Sequence, residues 1–479
     1  MIQQVGGQVA TMIVFFVLAA LLPPGDFGLI GMAGAWLAIL NAFCESGLGA
    51  ALIQREQLRE DHLTSTFGIN VAVGTALTVL GVALSWPAAA YFGTPALQPV
   101  MALLSLGFLV RAFGLTQAAL AQRELRFRAL AVRDLTANIV GGSIGVALAV
   151  AGYGVWSLVV MTLVSALLQT VLLWRLTHWR PRRFEISRRA AVELWPYSSR
   201  MLTFNLFKAL AQNTDRLIIG PVLGVRALGL YTLAFRIVIY PVTTFVGALG
   251  AYLFPKVARL QADSGAVRAV YRAVLVGTLN LVLPALVAVA VLAPTIMPIL
   301  GPRWHDAIPI VQILTIAALG QALMALVGQI MKGLGRPGWL VWWSVGLTVL
   351  TAIALWIGAR WGLSGVTLAY ALAHLAALPV IFMIGRRLTG LGMGEVLEII
   401  WRPAVAGGIL AVALALVVRY TSHWSPLVGA FGGLLVALVY LCGLARLNRE
   451  FRGLIAGEIR RFRLVGEDAA AVARAASGG

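Results

Sequence analysis

Long apolar stretches recur along the whole chain. Between residues 5 and 445, fourteen stretches of about 20 mainly apolar residues alternate with short turns such as Pro23-Pro24-Gly25 and Gly301-Pro302. A helix of about 20 residues crosses the hydrocarbon core of a bilayer, whereas the strands of a membrane barrel would appear as alternating segments of about ten residues. The pattern therefore predicts an all-α integral membrane protein with about fourteen transmembrane helices.

One short pattern occurs twice, 201 positions apart. LLPPGDFGLIGMA at 21–33 aligns with VLGVRALGLYTLA at 222–234, and LGAALIQR at 48–55 aligns with LGAYLFPK at 249–256 in the same register. Two matches at one offset predict a duplicated unit of six helices, and an even number of helices inserts both copies in the same direction. We therefore expect two parallel six-helix lobes related by a pseudo-twofold axis along the membrane normal, then two extra helices and a basic amphipathic tail that ends in disorder: 1–190, 191–390, 391–445 and 446–479.

Composition and charge agree with this class. The chain is 60% hydrophobic and only 11% charged, with a mean hydropathy of +0.90, whereas a soluble domain carries roughly a quarter charged residues. The net charge of +19 could indicate nucleic acid in a soluble protein, but 27 of the 37 Lys and Arg lie in connections on one side and in the C-terminal tail, against four on the other side. This bias places both termini in the cytoplasm and predicts no nucleic-acid partner.

The residue types that enzymes need are scarce. The three lysines, Lys208, Lys256 and Lys332, are not followed by Ser or Thr, so the sequence lacks a Gly-x-x-x-x-Gly-Lys-Ser/Thr phosphate-binding loop. Cys44 and Cys442 are single cysteines within apolar stretches and indicate neither a disulfide framework nor a metal site. Because no connection is long enough for a catalytic domain, the sequence predicts a transporter with no catalytic residue, metal or cofactor, and not an enzyme.

The seventh apolar stretch carries a stripe of polar side chains. At 100° per residue these positions fall within an arc of about 100°, while the rest of the stretch is largely Leu, Phe, Ala and Ile. An ionisable side chain at the centre of a membrane helix costs roughly 2.5–3.5 kcal/mol unless it faces a cavity or a partner. Two hypotheses stay open: a water-filled cavity, or interhelical hydrogen bonds with Asp215 and Arg216 as a local pair. The stripe consists of Ser198, Asn205, Lys208, Gln212, Asp215 and Arg216.

Neighbouring stretches add further candidates. Arg236 and Tyr240 lie one turn apart on the eighth stretch, and Arg111 lies near the middle of the fourth. Arg and Lys outnumber Asp and Glu in this set, which favours an anionic ligand, and phosphate oxygens suit guanidinium donors in particular. Other polar residues receive local roles: a structural role for Arg133 and Asp134, packing or hydrogen bonding for His374, and either an arginine partner or a cation for Glu45.

Eight short motifs also follow one another in a characteristic order. They are DFGLIGMA at 26–33, ESGLGAALIQRE at 45–56, AQRELRFRALAVRD at 121–134, GYGVWSLV at 152–159, NTDRLIIGPVLGVRALGLYTLAFR at 213–236, LFPKVARLQ at 253–261, GPRWHDAIPIVQIL at 301–314 and GLSGVTLAYALA at 362–373. Together they resemble the Wzx-like exporters of lipopolysaccharide, O-antigen and exopolysaccharide repeat units, within the multidrug/oligosaccharidyl-lipid/polysaccharide exporter superfamily. The resemblance covers nearly the whole chain and is greatest to the subfamily of colanic-acid-type and teichuronic-acid-type exporters.

The resemblance implies a flippase that moves an undecaprenyl-diphosphate-linked oligosaccharide from the inner to the outer leaflet of the bacterial cytoplasmic (inner) membrane by alternating access between two lobes. Lys208, Arg216, Arg236 and Arg111 would hold the diphosphate or acidic sugars. The implied partners are membrane lipids, a polysaccharide polymerase and the chain-length machinery. Two alternatives stay open: a cation-coupled multidrug exporter of the same superfamily, and a membrane enzyme of polysaccharide assembly such as a polymerase or glycosyltransferase.

Overall fold

The chain is helical throughout the part that the structure describes. A computed structural model describes residues 2–44, 49, 52–53, 58–181, 188–421 and 426–447, and these ranges contain no β-strand. The all-α prediction is therefore confirmed. The helices with defined bounds are α1 (Ile2–Leu21), α2 (Pro24–Cys44), α3 (Glu60–Tyr91), α4 (Leu97–Arg123), α5 (Phe127–Val150), α6 (Val155–Leu176), α7 (Arg188–Arg259), α8 (Ser264–Ile299), α9 (Ile308–Gly333), α10 (Pro337–Gly358), α11 (Gly362–Thr389), α12 (Met393–Thr421) and α13 (Pro426–Leu447), with 3₁₀ helices at Pro302–Ala307 and Ala359–Trp361.

The helices are long and apolar enough to make this a multi-pass membrane protein. Within the described residues, nine helical stretches have the length and hydropathy of a membrane span. Two of these, Asn205–Arg259 and Gly338–Thr389, contain 55 and 52 residues. Each has more than twice the roughly 20 residues that one crossing needs, and each is divided, at Gly224 and at the 3₁₀ helix Ala359–Trp361, so each can supply two crossings. The number of fourteen crossings stays a prediction.

Helix α7 is interrupted at one residue. Gly224 has φ 82° and ψ 177°, a conformation that glycine adopts without the steric cost that a Cβ atom would impose. The interruption divides α7 into two segments, here named α7a (188–223) and α7b (225–259). The break falls between the apolar stretches predicted as the seventh and eighth helices, 194–220 and 227–254.

The chain divides into two compact units. Unit 1 consists of 1–233, 300–304 and 355–366, and unit 2 contains the remainder. Each unit consists of segments that contact one another in the folded chain. The division predicted at residues 190, 390 and 445 stays a prediction.

In unit 1, α3 packs along α4, α4 packs on α6, and α5 packs on α1 and α6. Small residues allow the backbones of α3 and α4 to approach closely, because a Cβ atom on Gly74 would lie 2.4 Å from the Cβ of Ala112. Between these helices the Thr78 hydroxyl donates a hydrogen bond to the Ser105 carbonyl at 3.1 Å. A tight interface of small residues thus joins α3 and α4.

In unit 2, α8 packs against α9, α12 and α13. Arg268 on α8 forms an ion pair with Glu395 on α12, with 2.5 Å between Nη2 and Oε1. Helix α7b approaches α9 closely at Gly333, where a Cβ atom would lie 2.7 Å from a methyl carbon of Val257. Helix α8 therefore contacts three other helices of this unit.

The two copies of the repeated motif cross each other within unit 1. A Cβ atom on Gly28 would lie 1.9 Å from the carbonyl oxygen of Val225, and one on Gly229 would lie 1.8 Å from the carbonyl oxygen of Pro24. With the repeat offset of 201, Pro24 corresponds to Val225 and Gly28 corresponds to Gly229. The contact of Gly28 with Val225 is therefore equivalent to the contact of Gly229 with Pro24. Such reciprocity is the mark of a twofold relation, in which residue i contacts j and the equivalent of j contacts the equivalent of i. The duplicated motif therefore forms a self-complementary crossing that only glycine permits.

Candidate functional site

The polar stripe lies on α7a, a regular helix that keeps the predicted angular spacing. Lys208 and Gln212, one turn apart, are exposed, and Asn205 is half-buried. Within the described ranges Lys208 makes no hydrogen bond or ion pair with another side chain. The neighbouring apolar side chains Phe207 and Leu210 are 37% and 42% exposed, so it is the charge of Lys208, and not exposure alone, that distinguishes this position.

Asp215 faces the interior of unit 1 and is only 6% exposed. Its Oδ2 accepts a hydrogen bond from the Tyr231 hydroxyl at 2.8 Å, and its Oδ1 accepts one from the backbone N–H of Arg216, also at 2.8 Å. The Arg216 guanidinium extends instead to the Asn213 side chain, with 3.1 Å between Nη1 and Oδ1. Asp215 therefore ties α7a to α7b across the break, and Arg216 keeps most of its five N–H donors for other acceptors.

The remaining predicted site residues lie on other segments. Arg111 is exposed on α4 in unit 1, whereas Arg236 is half-buried on α7b in unit 2. Tyr240 also belongs to α7b, but its side chain lies outside the described part of the chain, as does Glu45. The joining of these residues with the stripe on α7a into one ligand site stays a prediction.

Two local roles expected from the sequence are found. Arg133 forms an ion pair with Asp134, with 2.6 Å between Nη2 and Oδ1. His374 is 4% exposed, and its Nδ1 lies 2.9 Å from the carbonyl oxygen of Tyr370. Because a carbonyl only accepts, Nδ1 carries the proton, and Nε2 can accept from the Gln321 amide 3.3 Å away. His374 is thus a hydrogen-bonded residue of a helix bundle. In the described residues no three His, Cys, Asp or Glu side chains cluster as a metal site would require.

One feature of the fold is not predicted from the sequence: the end of α1 is capped by a segment that is distant in the sequence. In an α-helix the carbonyls of Ala19 and Ala20 would accept from residues 23 and 24, but both are proline and have no N–H. The Trp304 indole donates to the Ala19 carbonyl at 2.7 Å, and the Arg303 guanidinium donates to that of Ala20. The Pro23-Pro24 pair could have indicated this cap, because it leaves two carbonyls at the end of α1 that need donors from another segment.

Aromatic packing buries the Trp304 side of this cap. Trp304 is 0% exposed and meets Phe27 edge to face, with 5.5 Å between ring centroids, and Phe27 meets Phe15 in the same way at 5.5 Å. Segment 300–304 belongs to unit 1 although it lies between α8 and α9 in the sequence. A short piece of the second half of the chain therefore completes the α1–α2 turn.

A multi-pass helical fold with a duplicated motif and a charged stripe on a membrane helix is typical of membrane transporters. Residues 17–309 match the family model described as "Polysaccharide biosynthesis protein". The chain belongs to the polysaccharide biosynthesis protein family.

Curated relatives extend the similarity over most of the chain. The teichuronic acid biosynthesis protein TuaB of Bacillus subtilis is 27% identical over 440 residues, which cover 88% of this chain and 88% of the relative. The lipopolysaccharide biosynthesis protein WzxC of Escherichia coli is 25% identical over 368 residues, covering 75% of this chain and 74% of that one. The resemblance to polysaccharide exporters predicted from the motifs is confirmed by these matches.

Solved structures show the same fold. The lipid II flippase MurJ in an inward closed conformation aligns with a TM-score of 0.71, covering 93% of this chain and 99% of its own, at 12% sequence identity. At 12% sequence identity this likeness shows the fold alone.

Proposed function

We propose that this protein is a flippase that moves a polyprenyl-diphosphate-linked oligosaccharide repeat unit from the inner to the outer leaflet of the bacterial inner membrane. Membership in the polysaccharide biosynthesis family supports the polysaccharide part. The name of WzxC refers to lipopolysaccharide biosynthesis, that of TuaB to teichuronic acid biosynthesis, and MurJ is named a lipid II flippase. These names favour polysaccharide export over the drug-exporter and polymerase alternatives. We further propose that the chain acts as a transporter and not as an enzyme.

The position of Lys208 is the observation that best supports an anionic cargo. It lies near the middle of the apolar stretch 194–220 and is exposed, with no partner among the described side chains. A lysine that faces hydrocarbon at mid-helix costs roughly 2.5–3.5 kcal/mol, and near the middle its side chain is farthest from either surface. Water-filled space removes that cost. We therefore place Lys208, with Gln212 one turn away, on a hydrated path through the membrane.

The arginines of the candidate site suit a diphosphate. One nitrogen of Arg216 donates to Asn213, and the guanidinium keeps further N–H donors that suit phosphate oxygens. Arg111 is exposed and has no partner among the described residues. We propose that Lys208, Arg216, Arg111 and Arg236 contact the diphosphate or acidic sugars. Asn205, Gln212 and Tyr240 complete the site, and Asp215 supports it from behind through its hydrogen bond with Tyr231.

An inside-negative membrane potential favours this direction of transport. A diphosphate carries about two negative charges, and each charge moved outward gains roughly 2.3 kcal/mol per 100 mV. Alternating access, in which the hydrated path opens first to one side and then to the other, would let the sugars and diphosphate cross while the lipid tail stays in the bilayer. We propose that both termini lie in the cytoplasm and that the product passes to a polysaccharide polymerase and the chain-length machinery.

The test is complementation of a strain that lacks its native exporter, with surface polysaccharide and membrane abundance measured together. Lys208→Met should abolish export at normal abundance, because the loss of a charge-assisted contact of about 1.5–3 kcal/mol weakens binding roughly ten- to a hundredfold. Lys208→Arg should retain part of the activity, since the positive charge survives. Lys332→Met, the same change at an exposed helix end, is the matched control and should export normally. Full export by Lys208→Met at normal abundance would remove Lys208 from the site.

A further inference from the structure

Four arginines converge on a pocket between α5 and α6 of unit 1, away from the stripe on α7a. The pocket has a volume of about 560 Å³, and its walls include the apolar side chains Val132 and Leu172. It lies where α5 begins and α6 ends, at connections that the charge bias assigns to the cytoplasm. The arginines are Arg126, Arg128, Arg133 and Arg175.

The pocket carries more positive charge than its own acids neutralise. Arg126 forms an ion pair with Glu124, with 2.6 Å between Nε and Oε2, and Arg133 is paired with Asp134. Arg128 and Arg175 are exposed and make no hydrogen bond or ion pair with another residue in the described ranges. Four guanidinium groups against two carboxylates leave an excess of about two positive charges. An anion with one or two charges and several acceptor oxygens, such as a phosphodiester, matches that excess.

The surroundings of the pocket suit a lipid more than a soluble anion. Leu125 and Phe127 flank Arg126 in the sequence and are 72% and 59% exposed, an alternation of apolar and basic side chains that suits a membrane interface. Further along α5, Ile139 and Val140 are 45% and 39% exposed. Apart from Thr136, the uncharged side chains of the pocket wall are apolar, which offers few hydrogen bonds to a sugar.

A second cavity has one lining residue in common with this pocket. It also measures about 560 Å³, lies between α4 and α6, and is lined by Phe113, Leu167, Val171 and Trp174. Arg175 lines both cavities. A phosphate bound at Arg175 would therefore stand at the head of an apolar groove large enough to receive an acyl chain.

We propose that these two cavities form a binding site for an anionic phospholipid of the phosphatidylglycerol or cardiolipin class. Arg128 and Arg175 hold its phosphate, and the groove between α4 and α6 holds an acyl chain. Basic pockets between transmembrane helices on the cytoplasmic side commonly serve lipid headgroups of this charge. The site is independent of the transported cargo, because none of its residues belongs to the stripe on α7a.

The experiment uses the purified full-length protein in nanodiscs of phosphatidylethanolamine with added phosphatidylglycerol, and measures retained lipid by native mass spectrometry. Arg128→Gln with Arg175→Gln should lower the affinity for phosphatidylglycerol at least tenfold. The matched control, Arg259→Gln with Arg402→Gln, removes the same charge from exposed positions on the same predicted side and should retain the lipid as the parent does. If the first double variant does not fold, Arg128→Gln alone is the substitute. It should fold, because Arg128 has no partner among the described residues, and it should still lower the affinity for phosphatidylglycerol severalfold.

Three results would overturn the proposal. Equal retention by both double variants would show that only general surface charge attracts the lipid. Loss of undecaprenyl diphosphate binding without loss of phosphatidylglycerol binding would assign the pocket to the cargo. Displacement of the lipid by millimolar inorganic phosphate would show an anion site in which the acyl groove contributes nothing.

Discussion

The crossing of the two repeated motifs predicts that glycine is indispensable at Gly28 and replaceable at Gly34 on the same helix. A Cβ atom on Gly28 would lie 1.9 Å from the Val225 carbonyl oxygen, whereas one on Gly34 would have nothing within 4 Å. Real Cβ atoms essentially never come closer than 3.0 Å, so α2 and α7b must separate by roughly 1 Å to accept alanine at Gly28. Overpacking of this kind costs about 1–3 kcal/mol, and a helical Gly→Ala change itself gains up to about 1 kcal/mol at either position.

The two variants therefore differ mainly by the clash. In detergent, the free energy of unfolding of Gly28→Ala should be about 1–3 kcal/mol lower than that of Gly34→Ala. Its thermal midpoint should therefore be lower, and fluorescence-detected thermal unfolding resolves such a difference. Gly229→Ala should behave like Gly28→Ala, because the repeat makes the two contacts equivalent. The double variant should cost less than the sum, since one separation of the helices relieves both clashes. Equal midpoints for Gly28→Ala and Gly34→Ala would refute the crossing.

Three further outcomes are expected. Trp304→Phe keeps the ring stack but leaves a buried carbonyl at the end of α1 without its donor, and should lower the free energy of unfolding by about 1–3 kcal/mol; an unchanged thermal midpoint would contradict the capping role. Tyr231→Phe removes a donor from buried Asp215 and should destabilise by a similar amount, whereas stability equal to the parent would show that the hydrogen bond contributes nothing. A reporter fused after residue 152 should report the outer side and one fused after residue 262 the cytoplasm, and the opposite result would reverse the predicted orientation.

Local signals in the sequence predicted the helices well. Apolar runs of about 20 residues predicted an all-α membrane protein, and the break that the structure shows at Gly224 falls between two of these runs. The repeat at an offset of 201 residues predicted a duplication, and the reciprocal contacts of Gly28 and Gly229 agree with it. These features depend on neighbouring residues or on self-similarity, which are both visible in one sequence.

Long-range partners could not be predicted in the same way. Angular spacing placed Lys208 and Asp215 on one face of a helix, but it gave no information on what each side chain meets. The structure buries Asp215 against Tyr231, sixteen residues away across the break, and leaves Lys208 exposed. The cap of Trp304 on α1 joins residues nearly three hundred positions apart. Such contacts depend on tertiary packing, which periodicity does not encode.

Transport in a purified system tests the central claim most directly. The protein is reconstituted into liposomes with a fluorescent undecaprenyl-diphosphate oligosaccharide in one leaflet, and a membrane-impermeant quencher reports its arrival in the other. The wild-type protein should accelerate transfer far above protein-free liposomes and more so under a potential that pulls negative charge across, while Lys208→Met should remain near the protein-free rate. Transfer by the wild-type protein no faster than in protein-free liposomes would contradict the account.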